Sequence, residues 1–173
     1  AAASAFHQRF GKRISRLVWS LLGGDAEHGD VVNSIFVNII ESIGTISDPS
    51  RLAAWVDSVT FRVTRKELRR RKLRRQIQLD IGISDLSRDF QSLETTVVAK
   101  RFYCVMDRME PEDRMLFIVK YFENFGLDEI SQMTGWSLST TRRRIKRAES
   151  SFEKIAQQDI FLKSKLGRVG DAD

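Results

Sequence analysis

Three groups of residues in this sequence have types and spacings that could do chemistry. The first is acidic: Asp128 beside Glu129, and Glu110 close to Glu112 and Asp113. Paired carboxylates can share general acid and base work. Both groups, however, fall where a helix begins, and there negative charge meets the positive end of the helix dipole. The second group could bind metal. His7 and His28 lie far apart with no Cys or His at ligand spacing, so no zinc site and no other metal is expected. Cys104 is the single cysteine and can form no internal disulfide, which suits a reducing cytoplasm; beside Val105 in an apolar helical pattern it is expected to be a buried small hydrophobe. With no Ser, His and Asp arrangement and no phosphate-cradling glycine loop, the chain is expected not to be an enzyme and to need no cofactor.

The third group is cationic. A formal net charge of +6 points only weakly to a polyanionic partner, but its distribution says more. Basic residues gather in Arg62 to Arg75 and again in Arg142 to Arg147, and the stretch from Asp80 to Glu94 between them is mostly acidic. Two separate basic helices predict two separate contacts.

The second basic run lies inside F-G-L-D-E-I-S-Q-M-T-G-W-S-L-S-T-T-R-R-R-I-K-R-A, from Phe125 to Ala148, which reads as a helix-turn-helix. A short helix from Leu127 to Thr134 buries Leu127, Ile130 and Met133. Gly135 permits a left-handed backbone at its end, Trp136 packs in the corner, and Ser137 caps a second helix. Thr141, Ile145, Ala148, Phe152 and Ile155 form the inner stripe of that helix, leaving Ser139, Thr140, Arg142, Arg143 and Lys146 facing outward. Arginine forks match guanine edges and hydroxyls match phosphates, so this outward set suits a DNA major groove. A solvated charged face has the same composition, and a run such as Arg69 to Lys72 equally suits a plain surface.

These groups need elements to position them. Phe6, Phe10, Ile14, Leu17, Val18 and Leu21 recur at spacings of three and four and predict a helix ending near Gly23 and Gly24. Asp25 or Asp30 can cap the next, which carries Val31, Val32, Ile35, Phe36, Ile39, Ile40 and Ile43. Ser47 or Asp48 ahead of Pro49 starts a long helix whose apolar side is Leu52, Trp55, Val56, Val59 and Val63 and whose later turns are basic. Periodicity fails from Gln76 to about Thr95, where Ile77, Leu79, Ile81 and Ile83 alternate; this predicts a flexible linker or a short extended segment lying on a domain surface. Val98, Phe102, Val105 and Met109 mark another helix, and Pro111 opens the next. The expected fold class is all-α: two small helical domains over 1–76 and 96–158, a linker over 77–95, and a tail over 159–173. No apolar run approaches the roughly 20 residues needed to span a bilayer, and the small apolar start at Ala1 to Ala5 lacks the pattern of a secretory signal.

The order of these features resembles the extracytoplasmic-function branch of the sigma-seventy family. The resemblance runs from about Phe6 to Ile155 and is most specific in the second domain. There Pro111, Glu112, Arg114, Tyr121, Glu129, Ile130, Gly135, Ser137, Thr140, Arg144, Arg147 and Ala148 match the family pattern in order and spacing. In the first domain, G-G-D-A-E-H-G-D-V-V-N-S-I-F resembles the segment that grips the clamp helices of RNA polymerase, with Asn33 and Ser34 where relatives carry a Gln-Glu or similar pair. Leu52, Trp55, Val56 and Leu68 to Arg71 resemble the helix that engages the minus-ten element, with Arg62 in place of a familiar asparagine.

The resemblance implies a cytoplasmic initiation factor that binds core RNA polymerase and promoter DNA, that an anti-sigma protein could hold inactive, and that does not insert in membranes. It assigns polymerase binding to Asp30, Asn33, Ser34 and Val37. The loop from Gly44 to Arg51 would receive a flipped base, and Arg51, Arg62, Arg65, Lys66, Arg69 and Arg70 would hold the minus-ten region. Ser139, Thr140, Arg142, Arg143 and Lys146 would read the minus-thirty-five element. The alternative is a helix-turn-helix regulator that binds duplex DNA without polymerase.

Overall fold

A computed structural model describes residues 2–23, 27–80 and 97–159, with side chains over 4–23, 27–77 and 101–159. Among the described residues there are seven α-helices and no strand: α1 Ala2–Leu22, α2 His28–Ser42, α3 Leu52–Asp80, α4 Val97–Arg108, α5 Pro111–Tyr121, α6 Leu127–Thr134 and α7 Leu138–Ala156. The all-α class and the order of the helices are those the periodicity predicts.

Helix α1 buries Phe10, Ile14, Leu17, Val18 and Leu21, one stripe at three- and four-residue spacing. Gly23 ends it in the left-handed region at φ 86°, and its N–H donates back to the Trp19 carbonyl at 2.8 Å. Helix α2 turns Val31, Ile35 and Ile39 inward. Asp30 does not cap it: the helix starts at His28, Glu27 precedes it without a side-chain cap, and Asp30 stands in the first turn; Asp25 lies outside the described residues. Ile40 and Ile43, expected on the core stripe, are exposed. The apolar residues of α2 cover a wider arc than the side that faces α1 and α3, so some are left facing out.

Asp48 caps a short 3₁₀ turn at Pro49–Arg51 that leads into α3. Its carboxylate accepts from the Ser50 hydroxyl at 2.7 Å and from the Ser50 N–H at 2.9 Å. These bonds to the charged form hold its pKa below the ordinary value. Helix α3 is buried on more than the single stripe expected. Val56 and Val59 are joined inside by Asp57, Thr60, Phe61, Thr64 and Leu68, because α1 and α2 pack on one side and α5 and α6 on the other. Asp57 is tolerated there through a bidentate pair with Arg13 of α1, at 2.7 and 2.5 Å.

The hydrophobic core therefore runs without a break from Phe10 and Ile35 through Val59 to Met115, Ile130 and Ile145, and the two helical modules are packed on each other. Each fully buried Ile, Leu or Val contributes about 1.5–3 kcal/mol. Helix α3 continues past Gln76 to Asp80. Most of the expected linker, including Ile81 and Ile83, and the tail beyond Asp159 lie outside the described residues. Cys104 is exposed, contrary to expectation: Val105 and Met106 take the buried face of α4, and at 3.6 residues per turn the position before them points away.

Candidate nucleic-acid interface

Local chemistry fixes the helix-turn-helix. At the start of α6 the Glu129 carboxylate accepts from the Gly126 N–H at 2.7 Å, one half of a capping box. Gly135 ends α6 at φ 73°, and the Ser131 hydroxyl donates to the Trp136 carbonyl at 2.6 Å across the turn. The Ser137 hydroxyl accepts from the Thr140 N–H at 3.3 Å and caps α7. Ile130, Met133, Thr141, Ile145 and Ala148 are buried between the helices, and the Thr141 hydroxyl donates to the Ser137 carbonyl at 2.9 Å.

The five arginines and lysines of α7 from Arg142 to Arg147 fall into two sets. Arg142, Arg143 and Lys146 are exposed and have no carboxylate partner among the described residues. Ser139 and Thr140 stand at the same helix start; their hydroxyls lie 3.1 and 2.9 Å from that of Ser137. Arg144 and Arg147 are instead paired within the protein. Arg144 lies 4.2 Å over the Trp136 ring and donates to Glu112 at 2.8 Å. Arg147 donates twice to Asp113, at 3.0 and 2.7 Å, and this bond raises the arginine pKa further. The acidic start of α5, which looked like simple dipole compensation, is thus an anchor for the recognition helix.

Helix α3 sorts its cations in the same way. Arg62 and Lys66 are exposed and have no carboxylate partner among the described residues. With Arg65, Arg69 and Arg70, and with Ser34 and Asn38 from α2, they line a groove of about 770 Å³. Other members of the expected minus-ten set are engaged within the protein. Arg65 and Arg69 lie 2.9 and 3.7 Å from Glu112, and Arg70 forms a two-pronged bond to Glu67 at 2.8 and 3.0 Å. Desolvation opposes the ionisation of Glu67, but its bonds to Arg70 and Arg71 prevail and its pKa is lowered. Arg51 is exposed on the short turn before α3. With Thr45 to Asp48, Trp55 and Ser58 it lines a hollow of about 270 Å³, and Gln132 of α6 completes the wall.

Of the four residues assigned to polymerase, Asp30, Asn33 and Val37 are exposed along one stripe of α2. Ile40, three residues beyond Val37, continues that exposed stripe. Ser34 instead lines the basic groove, and Asn38, which no motif singled out, stands beside it. Among the described residues no group of acidic, His or Cys side chains could hold a metal ion, and no helix is long and apolar enough to cross a membrane.

The class that this arrangement defines is a sigma-type helix-turn-helix: residues 99–151 match the family model for Sigma-70, region 4. The chain is 24% identical over 133 residues to the RNA polymerase sigma factor SigV of Bacillus subtilis, covering 77% of this chain and 78% of that protein. Its fold is shared with CnrH, solved in complex with the cytosolic domain of CnrY, at a TM-score of 0.62 and 18% identity over 91% of this chain and 89% of that one. It is shared also with the sigma factor RpoE of Bartonella quintana, solved in complex with the anti-sigma factor NepR, at a TM-score of 0.61 and 17% identity over 90% and 98%. Residues 99–151 are thus similar to region 4 of the sigma-70 family, and the chain resembles a sigma factor over most of its length.

Proposed function

We propose that the chain binds core RNA polymerase, directs it to promoters in the cytoplasm, and catalyses no reaction of its own. Residues 1–76 form the polymerase- and minus-ten-binding module, 77–95 the linker, 96–158 the minus-thirty-five-binding module and 159–173 a tail. Helix α7 lies in the major groove, with Ser139, Thr140, Arg142, Arg143 and Lys146 toward the DNA. Arg62, Lys66 and Arg70, joined by Ser34 and Asn38, track the backbone of the melted strand, and the hollow beside Trp55 takes a flipped base. Asp30, Asn33, Val37 and Ile40 meet the polymerase. Strand separation follows from tighter binding to the open promoter than to the closed one, which needs no reacting side chain.

The observation that carries this reading is the sorting of α7: the cations without a carboxylate partner among the described residues lie on the outer face of the second helix, and the paired ones hold that helix in place. The match of SigV over most of the chain favours a polymerase-dependent factor over a stand-alone regulator. An anti-sigma protein is a natural partner, since the similarly folded RpoE was solved in complex with the anti-sigma factor NepR. The test is promoter-specific transcription by purified core polymerase with and without the chain. Tight operator binding without polymerase and no transcription with it would refute the proposal.

A further inference from the structure

We propose that Glu110 and Glu112 act as internal stand-ins for nucleic-acid phosphates, so that the packed arrangement is self-inhibited; this rests on the function proposed above. One stripe of α3 carries Arg65, Arg69, Lys72 and Arg75, spaced four and three residues apart. Facing it at the end of α4 and the start of α5 stand Asp107, Glu110 and Glu112. Arg65 and Arg69 reach one oxygen of Glu112 at 2.9 and 3.7 Å, Lys72 pairs with Glu110, and Arg75 lies 3.8 Å from Asp107. The other oxygen of Glu112 holds Arg144 at 2.8 Å, so one carboxylate ties the basic helix of the first module to the recognition helix of the second.

A second observation points the same way. The hollow beside Trp55 is walled by Gln132 of α6, so the element that should stand over upstream duplex sits instead against the loop that receives a base. The cations of α3 thus form two stripes. Arg62 and Lys66 are open to a strand in the groove; Arg65, Arg69 and Lys72 stay tied to Glu112 and Glu110 until the modules part. Phosphates must then displace Glu110 and Glu112, and a free strand meets a shallower electrostatic trap than the sequence suggests.

The test is binding of a labelled single-stranded oligonucleotide of non-template promoter sequence to the full chain over a range of salt. The comparison is between the wild type, E110Q/E112Q, and a D128N/E153Q control that removes the same charge at exposed positions away from the contact. Released pairs predict about 10-fold tighter binding for E110Q/E112Q than for the control. The salt slope should also steepen by about 2, because up to three further cations then engage phosphates at about 0.7 each. Scattering should show a larger radius of gyration for the variant. If E110Q/E112Q matches the control in affinity and slope, the self-inhibition is refuted. Glu110 is exposed and makes no side-chain cap, so E110Q alone serves if the double variant fails to fold, with a smaller shift in the same direction. Loss of polymerase-dependent transcription by the wild type would sink the functional reading instead, and the two failures are read in separate assays.

Discussion

Arg143 and Arg147 are four residues apart on one helix, and the structure gives them opposite duties. Arg143 is exposed and has no carboxylate partner among the described residues; Arg147 holds Asp113, which is 4% exposed. Replacing Arg143 by Ala removes no ion pair among the described residues, so folding stability should change by less than about 0.5 kcal/mol. If Arg143 meets a duplex phosphate, the slope of log affinity against log salt should fall in magnitude by about 0.9. A base contact in addition would weaken binding to the cognate duplex by about 1–3 kcal/mol, on the order of 5- to 150-fold. Replacing Arg147 by Ala should do the reverse. It strands a buried carboxylate, which costs about 1–3 kcal/mol. The low end applies, because the Arg147 side chain is 58% exposed and shares its field with solvent, and because the start of α5 still favours the negative charge. Urea melts and promoter binding by the polymerase-bound factor, each variant measured in both, give a two-by-two comparison. If Arg143→Ala lowered stability while leaving the salt slope intact, or Arg147→Ala flattened the slope at full stability, the sorting of the helix into two faces would be wrong.

Three further outcomes follow from local geometry. Gly135→Ala should cost about 1 kcal/mol from the left-handed backbone alone, since a Cβ there meets nothing within 4 Å; a larger loss of melting stability would mean that the turn itself is rebuilt. Thr64→Val should raise the denaturant midpoint at constant slope, because the buried Thr64 hydroxyl has no hydrogen-bond partner among the described residues and an isostere removes its desolvation cost of up to about 1 kcal/mol. Tyr121 donates to Glu149, and this bond, aided by desolvation, pushes its pKa up to about 12. A raised phenol pKa means the folded state holds its proton more tightly. The associated stability is therefore complete below pH 10 and is lost as pH rises from 10 through 12; ultraviolet titration should show a late-ionising tyrosine that Tyr121→Phe removes and Glu149→Gln brings back toward 10.

Local order was legible in the sequence because helices announce themselves by period and by cap. The stripe of α1, the Asp48-Pro49 start, the Gly135 stop and the Ser137 cap all sit where their chemistry requires. The outward set from Ser139 to Lys146 was likewise readable, since three and four residues make a turn whatever surrounds it. What could not be read was contact between distant segments. Glu112 meets Arg65 across 47 positions, and no periodicity encodes that. The packing of α5 and α6 on α3 likewise explains why Phe61, Thr64 and Leu68 are buried on a helix expected to turn into an exposed cationic rod. Ile40 and Cys104 were misplaced for a related reason: an apolar side chain shows that a position can be buried, and only the neighbouring helices decide whether it is.

The three tryptophans happen to divide the molecule for optical work. Trp55 lines the hollow that would take a base, Trp136 stacks under Arg144 at the turn before the recognition helix, and Trp19 rests beside His28, away from both. Insertion of a base and withdrawal of Gln132 as the modules part should each change the emission of the first, whereas the second keeps its cation because Arg144 belongs to the same module, and the third stays as an internal reference. Variants that keep one indole each would let emission follow the two events in time, without an attached dye, as a promoter opens.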